Sequence, residues 1–147
     1  MDLQISEIAQ FDLYVLPGKC RQKHNVLDVA RGFHGDEWIS LFEIMAKNLG
    51  KSIDNLHTGI YENAVICKTK IFKDYIDNYL KPTVELFENK TTLKLYNRLW
   101  SRCQYEGKQT PEQLLVKIGV PFYTYHPFLL ERLWSLYYAN NEINCNF

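Results

Sequence analysis

The segment HPFLLERLWSLYYANN, residues 126–141, constrains the fold more than any other part of the chain. Nearly every position from Phe128 to Tyr138 is apolar. A helix with apolar side chains on most of its sides has to be buried. The pattern therefore predicts a single helix that begins near Pro127 and runs through the core of the protein.

Two charged residues interrupt this apolar helix. Glu131 and Ser135 are four residues apart and so share one face of a helix, with Arg132 beside them. A carboxylate on such a narrow polar strip pairs with a cation, stays in contact with solvent, or is available for proton transfer. The sequence leaves two interpretations open, a structural charge at the edge of the core and a working acid.

Apolar residues recur at steps of three and four in three further segments, which predicts three amphipathic helices. The first begins at Asp36 and ends near Gly50, because glycine suits the C-terminal cap of a helix. The second begins at Ile71 and crosses Pro82, which should kink or divide it. The third covers residues 93–103.

The remaining segments predict short elements. FDLYVLPG (11–18) is typical of a strand that ends in a Pro-Gly turn, KCRQKHN (19–25) of a loop, and NAVICK (63–68) of a buried strand. The sequence TPEQ (110–113) is a capping box that predicts a short helix ending at Gly119. About five helices and two or three short strands predict a helix-dominated α+β fold.

Composition excludes several classes of partner. The 147 residues suit one domain, 1–147, with one core. Lys plus Arg and Asp plus Glu are both 17, so no net field favours nucleic acid. No apolar run approaches the roughly 20 residues of a membrane span. The N-terminus lacks the apolar region of a signal peptide, and the four cysteines form no CxxC pair, so we expect a cytoplasmic protein with reduced thiols.

The segment between the first strand and the Asp36 helix is rich in basic residues. Arg21, Lys23, His24 and Arg31 lie beside flexible backbone, an arrangement that suits a phosphate group and equally suits a solvated surface loop. The spacing fits no P-loop. The histidines of the chain follow no metal-ligand spacing such as H-E-x-x-H, so no metal site is predicted.

Two stretches resemble a known family. YENAVICKTKIFKDYIDNYLKPTVELFE (61–88) and YHPFLLERLWSLYYANN (125–141) resemble the C-terminal half of bacterial polysaccharide glycosyltransferases of the GT-A nucleotide-sugar type, from capsule and lipopolysaccharide loci. In that half a strand with an Asn leads into an aromatic helix with an acidic end, and a later helix carries Phe-x-x-Glu-Arg-Leu. The matching positions are Asn63, Lys68, Phe72, Tyr75, Leu80, Glu85, Phe128, Glu131, Arg132 and Leu133.

This resemblance implies a reaction and roles for several residues. The reaction is transfer of a sugar from a nucleotide sugar to a hydroxyl of a glycan acceptor, in polysaccharide biosynthesis. Glu131 is then the general base or a ligand of a sugar hydroxyl, and Arg132 orients it or contacts phosphate. Asn63, Lys68 and His126 are expected to bind substrate on the acceptor side.

The chain also departs from that family. It has no Asp-x-Asp metal motif, and its first 60 residues cannot hold several βα units. We therefore expect an incomplete GT-A-like α/β domain. It is the C-terminal portion of such an enzyme, a companion to a separate donor-binding chain, or a reduced relative that binds without catalysing. No cofactor is expected within this chain, and Mn or Mg would enter with that other half. The alternative is a non-catalytic α-rich module that binds a protein or a carbohydrate.

Overall fold

The computed structural model describes residues 5–146 as a helix-rich α+β fold, which confirms the predicted class. The α-helices are α1 (Ile5–Ile8), α2 (Val26–His34), α3 (Asp36–Asn48), α4 (Thr69–Tyr75), α5 (Lys81–Glu88), α6 (Leu93–Leu99), α7 (Pro111–Ile118), α8 (His126–Glu131) and α9 (Leu133–Ala139). The strands are β1 (Leu13–Val15), β2 (Cys20–Arg21), β3 (Gly59–Ile60) and β4 (Val65–Cys67). Residues 1–4 lie outside the described residues, and they are part of the N-terminus in which we expect no signal peptide.

The strands form two antiparallel pairs. β1 pairs with β4, with Leu13 opposite Cys67, and β2 pairs with β3, with Cys20 opposite Ile60. The strand predicted within 63–68 is present, but the prediction that it is buried was wrong, because Ile66 is 42% exposed on the open face of a two-stranded sheet. β2 lies within residues 19–25, which were predicted as a loop. A strand of two residues is too short to show an alternating pattern in the sequence.

Helix α3 lies at the centre of the core, as its apolar stripe predicted. Trp38, Phe42 and Met45 have no exposed surface, and the rings of Trp38 and Phe42 stack with centroids 4.8 Å apart. The capping box predicted for α7 is also present, and Gly119 follows it in the left-handed conformation. Local sequence patterns therefore specify these two helices correctly.

The proline in the second predicted helix is accommodated by a π-helical turn, residues Ile76–Leu80, between α4 and α5. The N–H of Lys81 bonds to the carbonyl of Ile76, five residues back, and Pro82 follows in the first turn of α5. Proline has no N–H, so one carbonyl of a helix that contains it lacks a donor. The five-residue hydrogen bond of a π-turn changes which carbonyls near the proline need one. The segment is thus divided into different helix types, while Lys81 keeps helical backbone angles.

The prediction of one C-terminal helix was wrong. Helix α8 ends at Glu131 and α9 begins at Leu133, because the backbone of Arg132 (φ −92°, ψ 0°) leaves the helical conformation. The supposed polar strip is largely buried: Arg132 is 5% exposed and Ser135 has no exposed surface. Residues 5–146 contain no helix both long and apolar enough to cross a membrane.

Ser135 connects helix α9 to the edge strand β3. Its hydroxyl accepts a hydrogen bond from the Ile60 N–H at 2.9 Å and donates one to the Ile60 carbonyl at 3.3 Å. Buried backbone groups need such partners, because leaving one unpaired costs about 1–3 kcal/mol. The polar positions of the last helices therefore hold the strand that leads directly into the site described below.

Candidate functional site

A tight turn between β3 and β4 forms one side of a cleft. Glu62 and Asn63 at its centre both have positive φ, 60° and 52°, and the Ala64 N–H bonds to the Tyr61 carbonyl at 3.4 Å. Two consecutive left-handed residues are typical of a type I′ turn, which Asn adopts readily and Glu does not. The Glu62 N–H donates to Glu131 Oε1 at 3.2 Å, so α8 supports the turn where its backbone is least favourable.

Arg132 lies beneath this turn. Its guanidinium carbon is 4.3 Å from the centroid of the Tyr61 ring, and its Nη1 is 2.8 Å from Glu131 Oε2. That contact is an ion pair, but its angles are not those of a hydrogen bond. Nε and Nη1 of Arg132 are buried, and neither has a hydrogen-bond partner within residues 5–146. A buried cation with unused donors raises the free energy of the folded state. A ligand that drew the guanidinium into the cleft and accepted those hydrogen bonds would relieve this cost.

The cleft above Arg132 has a volume of about 220 Å³. It contains three cations and two acids, and so carries a net charge of one positive unit. Val29 and Phe33 of α2 give it an apolar wall. Its charged residues are Lys19, Arg21, Glu62, Glu131 and Arg132.

Two further contacts organise the cations at the mouth of the cleft. Lys19 Nζ is 2.6 Å from Glu62 Oε2, in an exposed ion pair, and the guanidinium of Arg21 is 6.0 Å from the Tyr61 ring centroid. Exposed ion pairs are weak, typically about 0–1 kcal/mol. Lys19 is therefore free to change partner when an anion enters, and the distant ring contact of Arg21 leaves its guanidinium free to do the same.

The position of Tyr61 depends on a glycine. Its ring folds back over Gly59, where an added Cβ would lie within 2.6 Å of ring carbons Cε2 and Cζ. Such a distance is shorter than van der Waals contact, so any other residue at position 59 would displace the ring. The Tyr61 hydroxyl is itself buried, and it has no hydrogen-bond partner in the described part of the chain.

The structure brings together four of the residues chosen from the sequence. Arg21, Glu131 and Arg132 line the cleft, and Asn63 occupies the adjoining turn. Sequence reasoning missed Tyr61 and Glu62 as cleft residues, because they reach it through a pairing between distant parts of the chain.

The other predicted site residues lie elsewhere. Lys68 pairs with Asp12 at 2.9 Å, and Arg31 pairs with Asp36 at 2.8 Å and with Asp28 at 3.1 Å. Neither they nor Lys23 and His24 line the cleft. His126 lines a different cavity.

Behind Arg132 lies a buried histidine that the structure keeps neutral. His34 is 3% exposed, stacks on Phe128 with centroids 4.3 Å apart, and has Nδ1 3.6 Å from Cys103 Sγ. Burial, and secondly the positive charge of Arg132, lower the pKa of His34 to about 4. The cleft therefore sits next to a site that resists protonation.

His34 should make folding stability depend on pH. Unfolded chains take up this proton near pH 6.5, whereas the folded protein excludes it down to about pH 4. Stability is therefore complete above pH 6.5 and declines as the pH falls. Between pH 6.5 and pH 5 the loss should be about 1.5 kcal/mol, measured by urea unfolding.

The substitution His34→Gln should remove that part of the pH dependence. His57→Gln, at an exposed histidine, is the matched control and should retain it. The pKa of His126 is also lowered by burial, and this adds a slope of the same sign to all three proteins. Identical pH slopes for His34→Gln and His57→Gln would contradict the assignment.

Among the side chains of residues 5–146, no three His, Cys, Asp or Glu residues come together as potential metal ligands. The chain matches no protein-family model, no curated protein and no solved structure. The resemblance to glycosyltransferases stays a prediction, and a functional hypothesis has to be built on the chemistry of the cleft.

Proposed function

We propose that this chain binds the phosphate part of a nucleotide sugar in the cleft above Arg132, and that it acts as a glycosyltransferase domain or as the acceptor-side part of one. The observation that carries the proposal is that Arg132 is buried, and that its Nε and Nη1 have no hydrogen-bond partner among residues 5–146. Guanidinium groups bind phosphate oxygens through paired hydrogen bonds. In this proposal the protein is cytoplasmic, where nucleotide sugars are made.

The size of the cleft limits what it holds. At about 220 Å³ it is smaller than the roughly 300–1,000 Å³ of most small-molecule sites. It therefore suits one part of such a ligand, the diphosphate, with the remainder extending over the exposed Arg21 and Phe33. The net positive charge of the cleft favours an anion there.

Glu131 has a consistent role in this proposal. Its Oε1 accepts from the Glu62 N–H, and its Oε2 faces Arg132, so both carboxylate oxygens are engaged. When a phosphate group draws the guanidinium toward itself, Oε2 is released. A released carboxylate next to the bound phosphate can then accept the proton of an acceptor hydroxyl, as general-base catalysis requires.

A second candidate function is a non-catalytic module that binds another protein. Helix α7 favours it, because Leu115, Val116 and Ile118 are 54%, 87% and 47% exposed. Contiguous exposed apolar side chains are typical of interaction surfaces. This candidate does not require the cleft to bind anything, and so the two are separated by titration with phosphate ligands.

Calorimetric titration tests the proposal. Inorganic pyrophosphate and at least one member of a panel of UDP-, GDP- and CMP-sugars, with and without Mn²⁺, should bind the wild-type chain. Arg132→Lys should weaken binding by about tenfold, because lysine cannot form paired hydrogen bonds. Arg102→Lys, at an exposed arginine outside the cleft, is the matched control and should bind as the wild type does.

The outcomes divide the proposal into its two parts. Heat with pyrophosphate but with no nucleotide sugar would retain the phosphate site and refute the nucleotide-sugar assignment. Absence of heat with every ligand would refute both and favour the interaction module. Equal weakening in the Arg132 and Arg102 variants would show binding outside the cleft.

Glu131→Gln tests the competition between carboxylate and ligand for Arg132. Glutamine can still accept from the Glu62 N–H, but it leaves the buried guanidinium without a counter-charge, so stability should fall by about 2 kcal/mol. Pyrophosphate should bind this variant more tightly than the wild type, and any transferase activity should be lost. The matched control is Glu43→Gln, which removes an exposed acid outside the cleft and should change stability by less than about 0.5 kcal/mol.

Weaker pyrophosphate binding by Glu131→Gln, with the fold intact, would contradict the proposed competition. Chemical unfolding measures the stability change, and calorimetry on the same samples measures affinity. The two readings together separate loss of the fold from loss of the site.

A further inference from the structure

The opposite face of helix α8 borders a second and larger cavity of about 580 Å³. Neighbouring residues Leu130 and Glu131 line the two cavities separately, so each faces a different side of the helix. The walls of the second cavity are mainly aromatic and aliphatic, and its charged residues, Glu88 and Lys90, are exposed. Its other lining residues are Val84, Phe87, Tyr96, Trp100, His126 and Leu130.

Aromatic rings surround a single histidine in this cavity. The rings of His126 and Trp100 make an edge-to-face contact with centroids 4.4 Å apart, and the Phe87 ring makes another with its centroid 6.3 Å from that of His126. Trp100 is 38% exposed, a large fraction for a tryptophan, and it contacts Tyr96 with centroids 5.9 Å apart. An exposed aromatic wall of this kind offers a stacking surface.

His126 supplies a hydrogen-bond acceptor to that surface. Burial lowers the pKa of His126, and the neighbouring Leu99 carbonyl offsets the effect only in part, so the ring is neutral at physiological pH. Nδ1 is buried, and it has no hydrogen bond of standard geometry to any residue that the structure describes. We assign the proton to Nδ1, the ring nitrogen without access to solvent, which makes Nε2 the acceptor of this cavity-lining ring.

We propose that this cavity is a binding site for a flat, uncharged aromatic ring that carries one N–H or O–H donor. The ring would stack on Trp100, and its donor would bond to His126 Nε2. A sugar fits less well, because its several hydroxyl groups need several polar partners and the apolar walls supply few. This inference is independent of the phosphate site.

A matched pair of probes tests the proposal. Indole has the required ring and N–H, whereas benzofuran has the same shape with an oxygen in place of the N–H. Indole should bind the wild-type chain about tenfold more tightly, the value of one good hydrogen bond. The readout is the indole N–H resonance of Trp100 in ¹⁵N-labelled protein, with the buried Trp38 and Trp134 as internal references.

The variant His126→Phe keeps an aromatic ring and removes the acceptor. It should lower the affinity for indole to that for benzofuran and leave benzofuran unchanged. Should this variant fail to fold, the comparison of the two probes on the wild-type chain decides alone. Equal affinities there, a response of Trp38 or Trp134 instead of Trp100, or no response to either probe would overturn the proposal.

Discussion

The burial of Arg132 is the feature on which the rest of the site depends. A guanidinium at 5% exposure would be costly without compensation, and the chain compensates it with the Tyr61 ring, the Glu131 carboxylate and a turn held above both. The same charge contributes to keeping His34 neutral. Arg132 is the residue at which α8 and α9 meet, and its backbone is not helical.

Structure and candidate function share the same hydrogen bonds here. Ser135 holds β3 against α9, and Glu131 holds the turn that follows β3 against α8. Tyr61 lies between these two attachments, over a glycine whose lack of a Cβ lets the ring approach. Hydrogen bonds to α8 and α9 therefore hold β3 and the turn after it in place, and this segment forms one side of the cleft. A ligand that repositions Arg132 acts on a turn that already contains a left-handed Glu62.

Local patterns predicted the local elements well. The apolar stripe of α3 and the capping box of α7 gave their helices, because period and capping depend only on near neighbours. The break at Arg132 had no such signal, since an apolar run is equally compatible with one helix or two. The pairing that brings Tyr61 over Arg132 joins residues 71 positions apart. Glu131 and Arg132, both chosen from the sequence, line the cleft, while Lys68 and Arg31 lie elsewhere and have acidic partners of their own.

The central claim is that Arg132 has unused hydrogen-bonding capacity that an anion takes up. Arginine side-chain ¹H–¹⁵N spectra, recorded during titration with inorganic pyrophosphate, test it most directly. The account predicts that the Arg132 Nε–H resonance shifts at substoichiometric ligand and exchanges more slowly with water when the site is full. Movement of the exposed Arg21 or Arg102 resonances alone, with Arg132 unchanged at saturation, would contradict it.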